Sequence, residues 1–212
     1  MRTIYLLIIT LLFSATCSFA TEDAISEFKS YLTTLKSVAV EFKQHDSRGG
    51  NANGRLIIVK PYNFLCNYFE PYPIVIAGNK RMISVYDFDM EQLNRINAKE
   101  NIFGFLLADD IDLNKHFKIN YANKDSKKIE VELYHIESER TTRVTISIKG
   151  TPMLKSIVTE ESDGNVISME ISHIWHIKDV SNSLFIMKNP EIYGHPTRLN
   201  STDLEKKYRI VE

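Results

Sequence analysis

The stretch Ile167-Ser168-Met169-Glu170-Ile171-Ser172-His173-Ile174-Trp175-His176-Ile177 places Ile167, Met169, Ile171, His173, Trp175 and Ile177 at every second position. A period of two is the signature of a strand with one face turned to a core. The same period runs upstream. Val144, Ile146 and Ile148 oppose Thr145, Ser147 and Lys149, and Ile129, Val131 and Leu133 oppose Glu130, Glu132 and Tyr134. Turn chemistry at Glu137–Arg140, Gly150-Thr151-Pro152 and Ser162-Asp163-Gly164 joins these runs into an antiparallel meander. Nearer the front, Val38, Val40 and Phe42 alternate with Ala39, Glu41 and Lys43 before the polar, Gly/Asn-rich stretch Asp46–Gly54. Strands are expected at Arg55–Lys60, Phe64–Phe69, Ile74–Ala77 and Met82–Phe88. Three segments keep a helical period instead. Thr21–Lys36 carries Ile25, Phe28, Leu32 and Leu35 on one face, Lys99–Ala108 is an apolar block, and Asp109–Phe117 adds a short helix. The expected class is therefore mainly β (α+β): one large antiparallel sheet with an apolar face covered by about three α-helices.

The most hydrophobic block lies outside this pattern. Met1–Ala20 has an early positive charge at Arg2, ten residues from Ile4 to Phe13 that are apolar except for Thr10, and small residues at Ser18 and Ala20. That is the layout of a secretory signal peptide, far short of the roughly 20 apolar residues that span a bilayer. Residues 1–20 are thus expected to be a signal peptide and 21–212 a single domain. Cleavage would leave Cys66 as the sole thiol, a small buried hydrophobe by expectation. Lipid attachment at Cys17 is the rival reading, but Thr16 is bulkier than the residue such a site favours.

Formal net charge is −1, with 26 basic and 27 acidic side chains, which argues against a polyanion partner such as nucleic acid. Nucleophile-elbow, phosphate-loop, dinucleotide and zinc-protease motifs are absent from the sequence. His173 and His176 point to opposite faces of a strand and cannot share a metal, and His173 is expected to be a hydrogen-bonded core histidine. No cofactor, metal site or catalytic residue is implied. An apolar face on a curved sheet suits a greasy ligand.

One long stretch carries a resemblance. Gly54-Arg55-Leu56-Ile57-Ile58-Val59-Lys60-Pro61-Tyr62-Asn63-Phe64 is followed by Glu70-Pro71-Tyr72-Pro73-Ile74-Val75-Ile76-Ala77-Gly78-Asn79-Lys80, then Val85-Tyr86-Asp87 and Met90–Arg95. With Ser37–Gln44 before it and Ile102–Leu107 after it, this closely resembles the LolA family of periplasmic lipoprotein carriers. The resemblance implies an incomplete antiparallel β-barrel, a single curved sheet under helices. It also implies a periplasmic monomer that takes acylated lipoproteins from an inner-membrane ABC transporter and delivers them to an outer-membrane acceptor or membrane surface. Two departures stand out. Lys60 occupies the place of an arginine that helps close the cavity in many members, so the latch should be looser. Asn101-Ile102 replaces a Thr-Pro helix start.

The lipid-binding residues expected on this basis are Phe64 at the cavity mouth and Lys60 in the cargo-responsive turn. Phe103, Phe105 and Leu106 on the covering helix, with Ile25, Phe28 and Leu32 on the first helix, should face the cavity. The task is demanding: a chain of about 16 carbons gains roughly 10–13 kcal/mol from burial, so a carrier must offer comparable cover and still release it. Other readings are a sensor or regulatory domain of the same sheet type, as in RseB-like proteins, and an outer-membrane acceptor similar to LolB.

Overall fold

The structure, a computed structural model, describes residues 21–69, 71–98, 107–108, 112–196 and 210–211. Helix α1 covers residues 21–34. It is followed by β1 (Ser37–Asp46), β2 (Asn51–Val59), β3 (Asn63–Tyr68), β4 (Ile74–Gly78), β5 (Met82–Asp87) and β6 (Gln92–Asn97). Then come the short α2 (Leu113–His116), β7 (Phe117–Lys124), β8 (Lys128–His135), β9 (Arg140–Ser147), β10 (Met153–Glu160) and β11 (Val166–Ile177). A 3₁₀ turn at Asn182–Phe185, α3 (Pro190–Tyr193) and β12 (Ile210–Val211) complete the described chain.

All strand pairings are antiparallel. The sheet order is β6-β5-β4-β3-β2-β1-β11-β10-β9-β8-β7, with β12 also on β11. Pairing of β1 with β11 fuses two meanders, and β6 and β7 end at opposite edges, so the barrel stays open. The first hairpin is tighter than its composition suggests. Asn51–Gly54 pair with Phe42–His45, which confines the turn to Ser47–Gly50. Strand β7 has no clean alternation because Asn120 is an extra residue opposite β8 between Ile119 and Tyr121.

A second bulge corrects the reading of the longest strand. Glu41 opposes His173 while Phe42 opposes Ile171, leaving Ser172 as the inserted residue, and its hydroxyl donates to the Glu41 carbonyl at 3.2 Å. One inserted residue reverses the faces that follow. Met169, Ile171 and Ile174 pack on the inner face, whereas Trp175 and Ile177 join an outer cluster. His173 is correspondingly no core histidine. Its side chain is 64% exposed, stacks on Trp175 with centroids 5.3 Å apart, and lies 3.3 Å from Glu41.

The inner layer joins α1 to the concave face. Ala24, Phe28 and Leu32 are fully buried at spacings of four, packed with Val38, Val40, Phe42, Ile58, Cys66 and the apolar face of β8–β10. Burial of each such Leu or Phe contributes about 1.5–3 kcal/mol. A separate outer layer covers β1–β6 and the end of β11. There Ala39, Ile57, Leu65, Val75, Ala77 and Tyr86 lie under Val180, Leu184, Phe185 and Met187. Strands β2 to β4 are therefore buried on both faces. That explains why Leu56-Ile57-Ile58-Val59 reads as an unbroken apolar run while β8 and β9 alternate.

Candidate functional site

Among the described residues, three contacts tie down the helix that roofs the concave face. At its N-terminal end the Lys124 ammonium bonds Asp23 at 3.0 Å and also Glu27, and these carboxylates hold it above the ordinary lysine range. In the middle, the Tyr31 hydroxyl accepts the Leu154 backbone N–H at 2.6 Å, beside the bulge in β10. Burial pushes this phenol up. At the C-terminal end the Lys60 ammonium donates to the Leu32 carbonyl at 2.9 Å. A cation there also suits the negative end of the helix dipole.

Lys60 stands just outside β2, and the turn it opens is a junction between covering segments. Its backbone N–H donates to the Lys36 carbonyl at 2.7 Å, and the Tyr62 N–H donates to the Leu107 carbonyl at 2.8 Å. Tyr62 reaches that bond with φ at +66°, in the left-handed region. One three-residue turn thus touches both α1 and the segment that holds Leu107. Lysine makes this contact as a point charge, without the planar fork of a guanidinium.

Two residues beyond this turn, the Phe64 ring lies on the inner face directly over Gly78, its partner in β4. A Cβ at Gly78 would come within 2.0 Å of the Phe64 ring, so the glycine is what lets the ring lie flat. Gly54 has the same relation to Phe42. Its absent Cβ leaves room for that ring, which meets Tyr68 edge-on with centroids 5.6 Å apart. The Tyr68 hydroxyl then donates to Gln44 at 3.0 Å. The aromatic-x-Gln ending of β1 and the leading glycine of β2 are two halves of one packing unit.

Of the residues expected from sequence, Phe64, Lys60, Ile25, Phe28 and Leu32 converge on the concave face and its rim. Phe28 and Leu32 are fully buried, and Ile25 and Phe64 are partly so. Phe103, Phe105 and Leu106 lie outside the described residues, as do residues 1–20, expected to be a signal peptide, and Asn101-Ile102. Cys66 is buried in the inner layer, and burial pushes its thiol up to about 12. Ellman's reagent should therefore leave it unmodified at pH 8 until denaturant is added; immediate labelling of the native protein would contradict its burial.

Sequence reasoning missed Tyr31 and Lys124 as tethers, since their partners lie 123 and about a hundred residues away along the chain. It also missed Arg55, which is only 2% exposed on the outer face, 3.7 Å from Glu41 and 5.1 Å above the Trp175 ring. Arginine alternating with an apolar run was the available signal.

A family model described as outer membrane lipoprotein carrier protein LolA matches residues 33–188. The chain belongs to the LolA family. An uncharacterized protein of Rickettsia prowazekii (strain Madrid E) is 39% identical over 210 residues, covering 99% of this chain and 98% of that protein. A protein of Chromobacterium violaceum named outer-membrane lipoprotein carrier protein is 30% identical over 112 residues, 50% of this chain and 54% of its own length. Among solved structures, a LolA superfamily protein from Nitrosomonas europaea has a TM-score of 0.42 at 10% identity, over 76% of this chain and 97% of its own. The matched residues 33–188 of this LolA-family chain begin at the end of α1 and include the Lys60–Tyr62 turn, Phe64 and Gly78. They also take in the outer covering residues Val180 to Met187. Among the described residues, no helix is long and apolar enough to cross a membrane.

Proposed function

We propose that this LolA-family protein is a non-enzymatic, monomeric periplasmic carrier that shelters lipoprotein acyl chains between α1 and the concave face. The observation that carries this reading is a continuous apolar layer beneath a roof helix fastened by a few polar tethers. Phe28, Leu32, Ile58 and Phe64 belong to that layer. Lys60, Tyr31 and Lys124 supply the tethers. Apolar contact provides affinity without directionality, while single hydrogen bonds worth about 0.5–1.5 kcal/mol can break and re-form as cargo enters and leaves. Residues 1–20 direct export and are removed, and 21–212 act as a single domain. The names of relatives such as the Chromobacterium violaceum protein support the same cargo class. Cargo would come from an inner-membrane ABC transporter and go to an outer-membrane acceptor or membrane surface.

The test is release of a triacylated lipoprotein from inner-membrane vesicles containing the transporter. With ATP and this protein added, lipoprotein should appear in the soluble fraction bound one-to-one to the carrier. Lipoprotein that stays in the vesicle pellet under those conditions overturns the proposal.

A further inference from the structure

The outer layer holds a second feature that acyl carriage on the concave face does not use. Between β3–β4 and the covering segment 184–196 lies a cavity of about 360 Å³. Its apolar wall includes Leu65, Val75, Phe88, Leu184 and Met187. Leu65 faces outward while its neighbours Phe64 and Cys66 face inward, so the full thickness of the sheet separates this cavity from the inner layer. Among the described residues, two basic side chains, Lys188 and His195, line it and no carboxylate does, although the whole chain is slightly acidic. His195 is already engaged: its Nδ1 is 2.6 Å from the Tyr86 hydroxyl and its Nε2 is 3.6 Å from Glu91. Lys188, an exposed residue, lines the cavity and holds its ammonium 5.1 Å over the ring of Tyr193, another lining residue. Ile186 and Tyr193, 59% and 67% exposed, extend the apolar surface beyond the rim.

We propose that this outer cavity binds a single acyl chain ending in a carboxylate, with the chain against Leu65, Val75 and Leu184 and the carboxylate at Lys188. Small-molecule sites occupy roughly 300–1,000 Å³, and this cavity lies at the small end of that range. It suits one chain and not the several of a lipoprotein. With His195 held by Tyr86 and Glu91, Lys188 is the lining cation that complements an amphiphile with an anionic head and disfavours a cationic one. The site stands independently of lipoprotein carriage.

The probes are dodecanoate, neutral dodecanol and a doxyl-labelled stearate, added to the mature protein. Calorimetry should show dodecanoate binding that persists in Phe64→Glu, a variant of the opposite face. Lys188→Glu, at an exposed position, should weaken dodecanoate by at least about fivefold and leave dodecanol unchanged. Ile186→Ser should weaken both. The spin label should broaden methyl resonances of Val75, Leu184 and Ile186. Broadening confined to Ile58, Ile76 and other inner-face methyls overturns the proposal, as does unchanged dodecanoate affinity in Lys188→Glu. A protein that fails in lipoprotein release but shows this broadening would overturn the carrier reading alone.

Discussion

Gly54→Ala is expected to destabilise the protein by about 3 kcal/mol, at the upper end of what an overpacked methyl costs. The reason lies in which atoms crowd the position. An added Cβ would stand 2.5 Å from the backbone carbonyl oxygen of Asn67 and 2.9 Å from the Phe42 ring. A ring can rotate or slide, but the carbonyl belongs to β3 in the middle of the sheet, where β2 and β3 are locked in register from Gly54–Tyr68 to Val59–Asn63. Relief therefore requires moving one strand away from another, which loosens the Phe42–Tyr68–Gln44 unit as well. Gly50→Ala is the matched control. Its added carbon would meet Asp46 Cβ at 3.4 Å, an ordinary contact, so its effect should stay within about 0.5 kcal/mol. Urea unfolding followed by circular dichroism measures both; equal midpoints for the two variants would contradict this account.

The fold was legible in sequence where one face of the sheet meets water, and less so elsewhere. Strands β8 and β9 alternate because their outer faces are solvated, with Glu132 and Arg143 paired on the surface at 2.7 Å. In β11 the alternation looked longest and misled, because the inserted Ser172 shows no signal of its own. Only the opposite strand reveals that two residues oppose one. The outer covering segment was equally silent. Leu184, Phe185 and Met187 have no period, and their partners Leu65, Val75 and Ala77 are more than a hundred residues earlier. A hint was nevertheless present in Leu56–Val59, since a run with no polar member has no face to offer solvent. The candidate site divides in the same way. Phe64 and Lys60 are candidates by family position, but their contacts with Gly78 and Leu32 depend on register and on a helix end that meets a distant turn.

Phe64→Glu should weaken capture of a triacylated lipoprotein by about tenfold to a hundredfold while the protein stays folded. Two effects act together. The substitution removes the apolar ring, whose burial contributes about 1.5–3 kcal/mol, and puts a charge where cargo would lie. Ordinary core would respond differently: a carboxylate forced into a fully buried position collapses the fold, whereas Phe64 is only partly buried. From there a glutamate can turn toward water over Gly78, which carries no side chain to hinder it. The inner layer would still be held by Phe28, Leu32, Phe42 and the β8–β10 residues, all fully or nearly fully buried. Phe64→Leu, which keeps an apolar surface, should bind within about threefold of the parent protein. Circular dichroism establishes that each variant is folded, and retention of lipoprotein in the soluble fraction measures capture. A folded Phe64→Glu protein with undiminished capture would move the cargo contact away from the Phe64–Gly78 pair, leaving the ring as packing between β3 and β4. Loss of capture in Phe64→Leu as well would mean that the contact needs an aromatic face and not apolar area alone.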